Sequence, residues 1–434
     1  MQISPSGKAE ASPTAFSKAI PVTVMFLLFA MISFVTGLQN PFGVIARHQF
    51  EVSNFASQLG NFANFIAYLC MGVPAGLLLS RVGYKRTALA AVAVGFLGVL
   101  IMWLSGRLES FPVYLAGAFV AGFSMCMLNT VVNPMLNTIA GGGKRGNQLI
   151  QFGGACNSVA ATIVPVLVGY LIGDLANARI SNANPALYTA LAVFLIAFVV
   201  LLVVKIPEPH TQPRTQAAPA ASPSGASPWS YRHFLLGVVA IFIYVGLEVA
   251  IPSVANLYMT ADAASGGLGM AAAVAGTLCG TYWFLMFIGR LLGGLLGAKL
   301  TARAQLAAVA SLIALFILLA ILLPSDIMVR MPVFRSNLSF AMQQVPLSVM
   351  FLILCGLCTS VMWGNIFNLS VEGLGQHTAL ASGIFMTMVC GGGIIPPLQG
   401  LLADAVGYSA SYWLLFACAL YLLFYALAGS RPAK

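Results

Sequence analysis

The chain has 434 residues, of which 60% are hydrophobic and 7% charged, and its mean hydropathy is +0.94. A water-soluble protein of this length needs far more charge to cover its surface, so the composition excludes an ordinary soluble enzyme or binding module. The net charge of +10 would suggest a nucleic-acid partner, but only if the basic residues formed a patch.

Residues 1–19 are polar and read as an N-terminal tail; the first apolar run is too long for a secretory signal and lacks a small-residue cleavage site. About twelve apolar stretches follow, each near the 20 residues that cross a bilayer as helix. They fall at 20–45, 54–80, 87–105, 111–138, 148–173, 187–205, 233–258, 270–297, 304–323, 346–370, 380–403 and 411–428. The connections on one side hold Lys8, Lys18, Arg81, Lys85, Arg86, Lys144, Arg145, Lys205, Arg214, Arg232, Lys299, Arg303, Arg431 and Lys434. Those on the other hold Arg47, Arg107, Arg179, Arg330 and Arg335. This asymmetry follows the positive-inside rule and places both termini in the cytoplasm. The positive charge is therefore topological, and no nucleic-acid partner is expected.

Residues 206–231, IPEPHTQPRTQAAPAASPSGASPWSY, are rich in Pro, Ala and Ser and read as a flexible cytoplasmic linker. It separates a six-helix half at 20–205 from a second at 232–428, with a short tail at 429–434. The halves repeat each other. IVPVLVGYLIGD (Ile163–Asp174) matches IIPPLQGLLAD (Ile394–Asp404), Gly37-Leu38-Gln39 matches Gly246-Leu247-Glu248, and AGLLLSR (Ala75–Arg81) matches GGLLGAK (Gly293–Lys299). Tandem six-span halves predict an all-α transporter of the major facilitator plan, with its site between the halves near the bilayer midplane.

Polar side chains inside apolar spans face a cavity or another helix, because facing lipid is expensive. The first span offers Gln39 and Asn40, and the second Asn54, Gln58, Asn61 and Asn64. Asn129, Asn133 and Asn137 share one face of the fourth, Gln151 and Asn157 lie in the fifth, and Asn365 and Asn368 in the tenth. Any one of them is explained equally well by interhelical hydrogen bonding. Together they outnumber what packing requires, and uncharged donor–acceptor groups suit a neutral polyhydroxylated solute. Tyr282, Trp283 and Trp363 add flat apolar faces with polar edges, fit for a sugar ring or for core packing. No Lys or Arg is expected mid-membrane, and Arg290 reads as a residue that snorkels or caps helix ends.

Other motifs do not hold. AGGGKRGN (Ala140–Asn147) lacks the Ser or Thr of a phosphate loop and joins two spans. His48, His210, His233 and His377 lack metal-ligand spacing, and the eight cysteines, Cys355 and Cys358 among them, sit in apolar runs as small hydrophobes. No nucleophile–base set is visible, so no enzyme, metal site or resident cofactor is expected.

The block WGNIFNLSVEGLGQHTALASGIFMTMVCGGGIIPPLQGLLADAVG (Trp363–Gly407) closely resembles the tenth and eleventh spans of the fucose:proton symporter family within the major facilitator superfamily. FIYVGLEVAIPSVANLYM and GTYWFLMFIGRLLGG resemble the seventh and eighth spans of its glucose/galactose branch. MLNTVVNPMLNT and VPAGLLLSRVGYKR resemble the fourth span and the end of the second, so the likeness runs from about residue 25 to 425. It implies a secondary transporter that imports a monosaccharide, a hexose such as glucose, galactose or fucose, across the bacterial inner membrane by rocking two halves. The family's fucose branch carries an aspartate in the first span and a glutamate in the fourth, and here those positions fall on Asn40 and Asn129. Of the family's pair of fifth-span amides, Asn157 keeps one position and Gly154 falls near the other.

With both usual acids replaced, Glu248 in FIYVGLEVAIPS is the one carboxylate deep in an apolar span. Three roles are open to it: a protonated structural acid, a group that loads and releases a proton, or an ionised sodium ligand aided by Ser253 or Asn256. The expected substrate-binding set is Gln39, Asn40, Gln58, Asn61, Asn129, Asn133, Gln151, Asn157, Tyr282, Trp283, Trp363 and Asn365, with Glu248 for ion coupling. The expected partners are a small sugar, the lipid bilayer and a coupling proton or sodium ion, for a protein that works as a monomer. An uncoupled sugar facilitator and a drug or metabolite exporter of the same fold are the alternatives.

Overall fold

The computed structural model describes residues 15–50, 59–172, 179–208, 227–297, 299–335 and 337–432. In a bilayer each backbone N–H and C=O has to be satisfied within its own segment, so the apolar runs fold as helices. The first half holds α1 (Ala15–Gln49), α2 (Leu59–Val82), α3 (Tyr84–Leu108), α4 (Phe111–Ile139), α5 (Gly143–Ile172) and α6 (Asn184–Val203). The second holds α7 (Arg232–Thr260), α8 (Ala272–Gly297), α9 (Ala302–Leu322), α10 (Leu347–Thr359), α11 (Met362–Ser370), α12 (Thr378–Thr387), α13 (Gly391–Val406) and α14 (Tyr408–Phe424).

Helices α10 and α11 form one crossing bent by 41°, and α12 continues into α13 through a tight turn at Met388–Cys390. Among the described residues, ten helical stretches are long and apolar enough to span a membrane, and the bent pair adds another. The more polar α5, with 30 residues, occupies the fifth place. The linker residues 209–226 lie outside the described residues.

One element departs from the all-helical expectation. Between α9 and α10 the chain forms an antiparallel hairpin, β1 (Met328–Phe334) with β2 (Phe340–Pro346), at the end of the bundle opposite the basic residues. Its tip is held to α8: the Phe334 ring stacks on Phe284 at 4.4 Å, and the Phe334 N–H donates to Thr281 Oγ1. Alternating residues such as Met331 and Val333 supply the buried face, the period-2 pattern of a half-buried strand.

At the basic end, the Glu208 carboxylate accepts from the backbone N–H groups of Tyr84 and Lys85, where an anion suits the positive end of α3. Lys85 Nζ in turn donates to the Leu202 and Val204 carbonyls at the close of α6. These contacts fasten the start of the linker to the first half.

The halves meet along two seams. Helix α2 packs on α12 with almost no side chain between them; a Cβ added at Gly383 would lie 2.6 Å from the Gly76 Cα. On the other side, α5 lies against α8 and α11 toward the basic end. There Gln148 and Phe152 pack on Gly297 and Gly294, and Lys144 Nζ donates to the Lys299 carbonyl at 2.9 Å.

Candidate functional site

Arg290 occupies a different place from the one expected of it. Its side chain extends from α8 into the bundle, where Nη2 lies 3.6 Å from Glu248 Oε1, and each of these side chains is only 12% exposed. Nη1 faces three acceptors of α5: Ser158 Oγ at 2.7 Å, the Gly154 carbonyl at 3.1 Å and Asn157 Oδ1 at 3.3 Å. Nε reaches the Ser360 carbonyl at 3.4 Å. The expectations of a snorkelling arginine and of a bundle with no deep cation are therefore corrected. A planar fork of five donors is suited to link a carboxylate and several carbonyl or amide oxygens at once. Gly154 makes room for it, since a Cβ there would stand 3.3 Å from Arg290 Cδ.

The break in the tenth crossing supplies part of this site. Where α10 ends and α11 begins, the carbonyls of Ser360 and Val361 accept side-chain donors, Arg290 Nε and Gln151 Nε2 respectively. Irregular backbone at membrane depth is tolerated where protein groups satisfy it, and broken helices line the sites of many transporters.

From the ion pair the polar groups run on as a chain. Tyr244, one turn before Glu248 on α7, buries its hydroxyl close to both charges, outside ordinary hydrogen-bond geometry with either. Its ring meets Trp363 edge-on, with centroids 6.4 Å apart. Trp363 Nε1 donates to Asn133 Oδ1 at 3.1 Å, and Asn133 Nδ2 donates to the Asn129 carbonyl at 2.8 Å. Asn129 Nδ2 donates to the Tyr68 hydroxyl at 2.8 Å, and Asn157 Nδ2 to the Phe29 carbonyl at 3.0 Å. One network thus joins α1, α2, α4 and α5 of the first half to α7, α8 and the tenth crossing of the second.

The structure brings together Asn129, Asn133, Gln151, Asn157, Trp363 and Glu248 from the expected set. Tyr282 stands apart: it is fully buried within the second half, and its hydroxyl is engaged by the Glu248 carbonyl and Thr359 Oγ1. Trp283 is 41% exposed and packs edge-on against Tyr282. Asn365 is fully buried and joins no hydrogen bond through its side chain. The side chains of Gln39, Asn40 and Asn61, and the whole of Gln58, lie outside the described residues. Ser253 and Asn256 are exposed, and Ser253 Oγ bonds its own helix at the Val249 carbonyl.

Sequence reasoning missed Arg290, Tyr244, Tyr68 and Ser158 as members of the site. Tyr244 carried a legible signal, because it lies four residues from Glu248 and hence on the same helical face. The pairing of Arg290 with Glu248 had none, since the two lie on different helices.

The Major Facilitator Superfamily profile matches residues 25–397. The chain is 29% identical over 416 residues to a glucose/galactose transporter of Brucella abortus, covering 94% of each chain. It is 25% identical over 414 residues to the L-fucose-proton symporter of Escherichia coli, covering 90% of this chain and 88% of that protein. The crystal structure of the transporter FucP in its outward conformation superposes with a TM-score of 0.78 at 21% identity, covering 94% of this chain and 98% of FucP. A helical bundle of two halves, a polar network between them and a family profile spanning most of the chain agree: this protein belongs to the Major Facilitator Superfamily and is a membrane transporter, not an enzyme.

Proposed function

We propose that the protein imports a monosaccharide of the hexose class across the bacterial inner membrane by alternating access, with proton coupling at the Glu248–Arg290 pair. The names of its glucose/galactose and fucose-transporting relatives support the substrate class. In this reading the basic end and both termini face the cytoplasm, the site of one chain is complete as a monomer, and the described contacts close the cytoplasmic side.

The observation that carries the reading is the bonded run Asn129–Asn133–Trp363, set beside the buried Glu248–Arg290 pair with the Tyr244 ring packed between them. Amides hold sugar hydroxyls without net charge, and the indole offers an apolar face to the ring. In this reading a sugar held by the amides lies beside the carboxylate, so its occupancy and the charge state of Glu248 act on the same part of the bundle.

Protonation of Glu248 removes the charge that Arg290 faces. Leaving the buried guanidinium without its partner costs on the order of 3–5 kcal/mol. Arg290 also bonds across to α5, so the charge state of Glu248 bears on a group that joins the halves. Sodium fits less well. The carboxylate already faces a guanidinium, which repels a second cation, and Ser253 and Asn256 are turned outward.

The test is hexose uptake into proteoliposomes under an imposed proton or sodium gradient, for wild type and Glu248→Gln. Accumulation driven by the proton gradient and lost in the variant supports the reading. Uptake that only equilibrates under either gradient, and persists in the variant, makes the protein a facilitator and Glu248 a structural acid.

A further inference from the structure

Besides Gln305 of α9 and Gln399 of α13, the buried amides with unpartnered atoms stand at one level of the seam between the halves. Among the described residues, Asn147 and Asn365 are fully buried, and in each both Nδ2 and Oδ1 lack a hydrogen-bond partner. Asn137 Oδ1 is a third such group and lies against Gly146. An unmade hydrogen bond at a buried polar group is costly, so native interiors keep few of them. Amides kept for helix packing would be bonded to a neighbouring helix, and these are not.

Their position follows from the register of the two helices that carry them. Helix α5 runs antiparallel to α11: Asn368 Nδ2 donates to the Gly143 carbonyl at 3.1 Å, and Gln151 Nε2 donates to the Val361 carbonyl at 2.8 Å. Asn147 lies one turn from both Gly143 and Gln151, on the same face of α5. Asn365 lies one turn beyond Val361 and one short of Asn368. The two amides therefore stand at the same height on opposite halves, between two hydrogen bonds that cross the seam. They lie on the basic side of the Trp363–Asn133 bond, where a solute leaving the central site toward that end has to pass.

We infer that Asn147 and Asn365, with Asn137 at their edge, form an inner subsite for the transported polyhydroxylated solute, buried while the basic end is closed and bound to solute hydroxyls once it opens. Opening breaks the Gln151–Val361, Asn368–Gly143 and Lys144–Lys299 bonds. The unpartnered amides offset part of that loss, because they gain hydrogen bonds only in the open state. The closed end is thereby kept from being too stable to open. This inference rests on the sugar-import reading above for the identity of the solute, but not for the energetics of the seam.

The test uses the double variant N147L/N365L of the full chain, which places apolar groups of similar size at the two positions. The melting temperature in detergent is expected to rise by about 3 °C or more, because a buried cost is removed. Exchange of labelled for unlabelled hexose across proteoliposomes is expected to fall ~10-fold or more, equivalent to about 1.4 kcal/mol on the opening step. An unfolded or less stable variant overturns the inference, since it would mean the amides have structural partners. Wild-type exchange in a folded variant overturns it as well. If the wild type exchanges no hexose at all, the substrate reading falls, and the direction of the melting shift still decides whether the amides destabilise the closed seam.

Discussion

Trp363 donates its indole N–H to Asn133 Oδ1 at 3.1 Å, and the bond crosses from the second half of the chain to the first. Asn133 has another bond on its own helix, to the Asn129 carbonyl, while the ring of Trp363 rests edge-on against Tyr244 and Phe385. The indole is therefore held in orientation from both halves at once. A residue so placed reports on the separation of the halves as well as on what occupies the space between them.

Trp363→Phe keeps an aromatic ring and loses this bond. A neutral hydrogen bond contributes about 0.5–1.5 kcal/mol, so a loss of stability of that order is expected with the fold intact. Thermal unfolding of the purified variant measures it. Trp363→Ala should cost more, because the ring's packing goes too.

Arg290→Ala leaves the Glu248 charge facing apolar helices, and its expected cost is about 3–5 kcal/mol, read as a large drop in melting temperature. The double variant Glu248→Gln/Arg290→Ala removes both charges and should regain a good part of that loss. A double-mutant cycle on thermal stability gives the coupling between them. Additive effects would mean that the 3.6 Å pair contributes no interaction of its own.

Proton symport into the cell is driven by protons outside, so wild-type accumulation should fall as the external pH is raised at fixed internal pH. Glu248→Gln cannot titrate. Its hexose exchange should persist while its accumulation ratio stays near one and ignores external pH. Parallel pH series with both proteins test this, and a pH-dependent ratio in the variant would place coupling elsewhere.

Gly383→Ala is expected to disturb the α2–α12 seam. The new Cβ would land 2.6 Å from the Gly76 Cα and against the Gly72 carbonyl, both of them backbone that cannot step aside as a side chain does. Overpacking of this kind typically costs about 1–3 kcal/mol. Because the seam joins the halves, the transport rate should fall along with thermal stability, while Gly400→Ala, where no atom lies within 4 Å of the added Cβ, should change neither.

Much of the architecture was legible because a bilayer leaves so few options. Each run of about 20 apolar residues had to become a crossing, and the Lys and Arg bias between runs fixed which end they share. Helical spacing put Asn129 and Asn133 on one face, and the same spacing linked Tyr244 to Glu248. Hairpin β1–β2 was less legible: its residues, MVRMPVF and FAMQQVP, alternate too weakly to stand out beside long apolar helices.

The sequence by itself determined the membrane class, the six-plus-six plan and the singular position of Glu248, since composition, periodicity and charge bias are properties of local stretches. Only the tertiary structure decided what Glu248 faces. Arg290 lies one helix away, and no local pattern records which neighbouring helix its long side chain will cross. Crossing geometry also sorted the amides that sequence had grouped together. Asn133 and Asn157 were drawn into the network beside Arg290 and Trp363, whereas Asn365 was set one turn beyond the break in the tenth crossing, unpartnered opposite Asn147. A helix's own period says which face a residue occupies, but the register between helices forty or two hundred residues apart is settled only when the bundle packs.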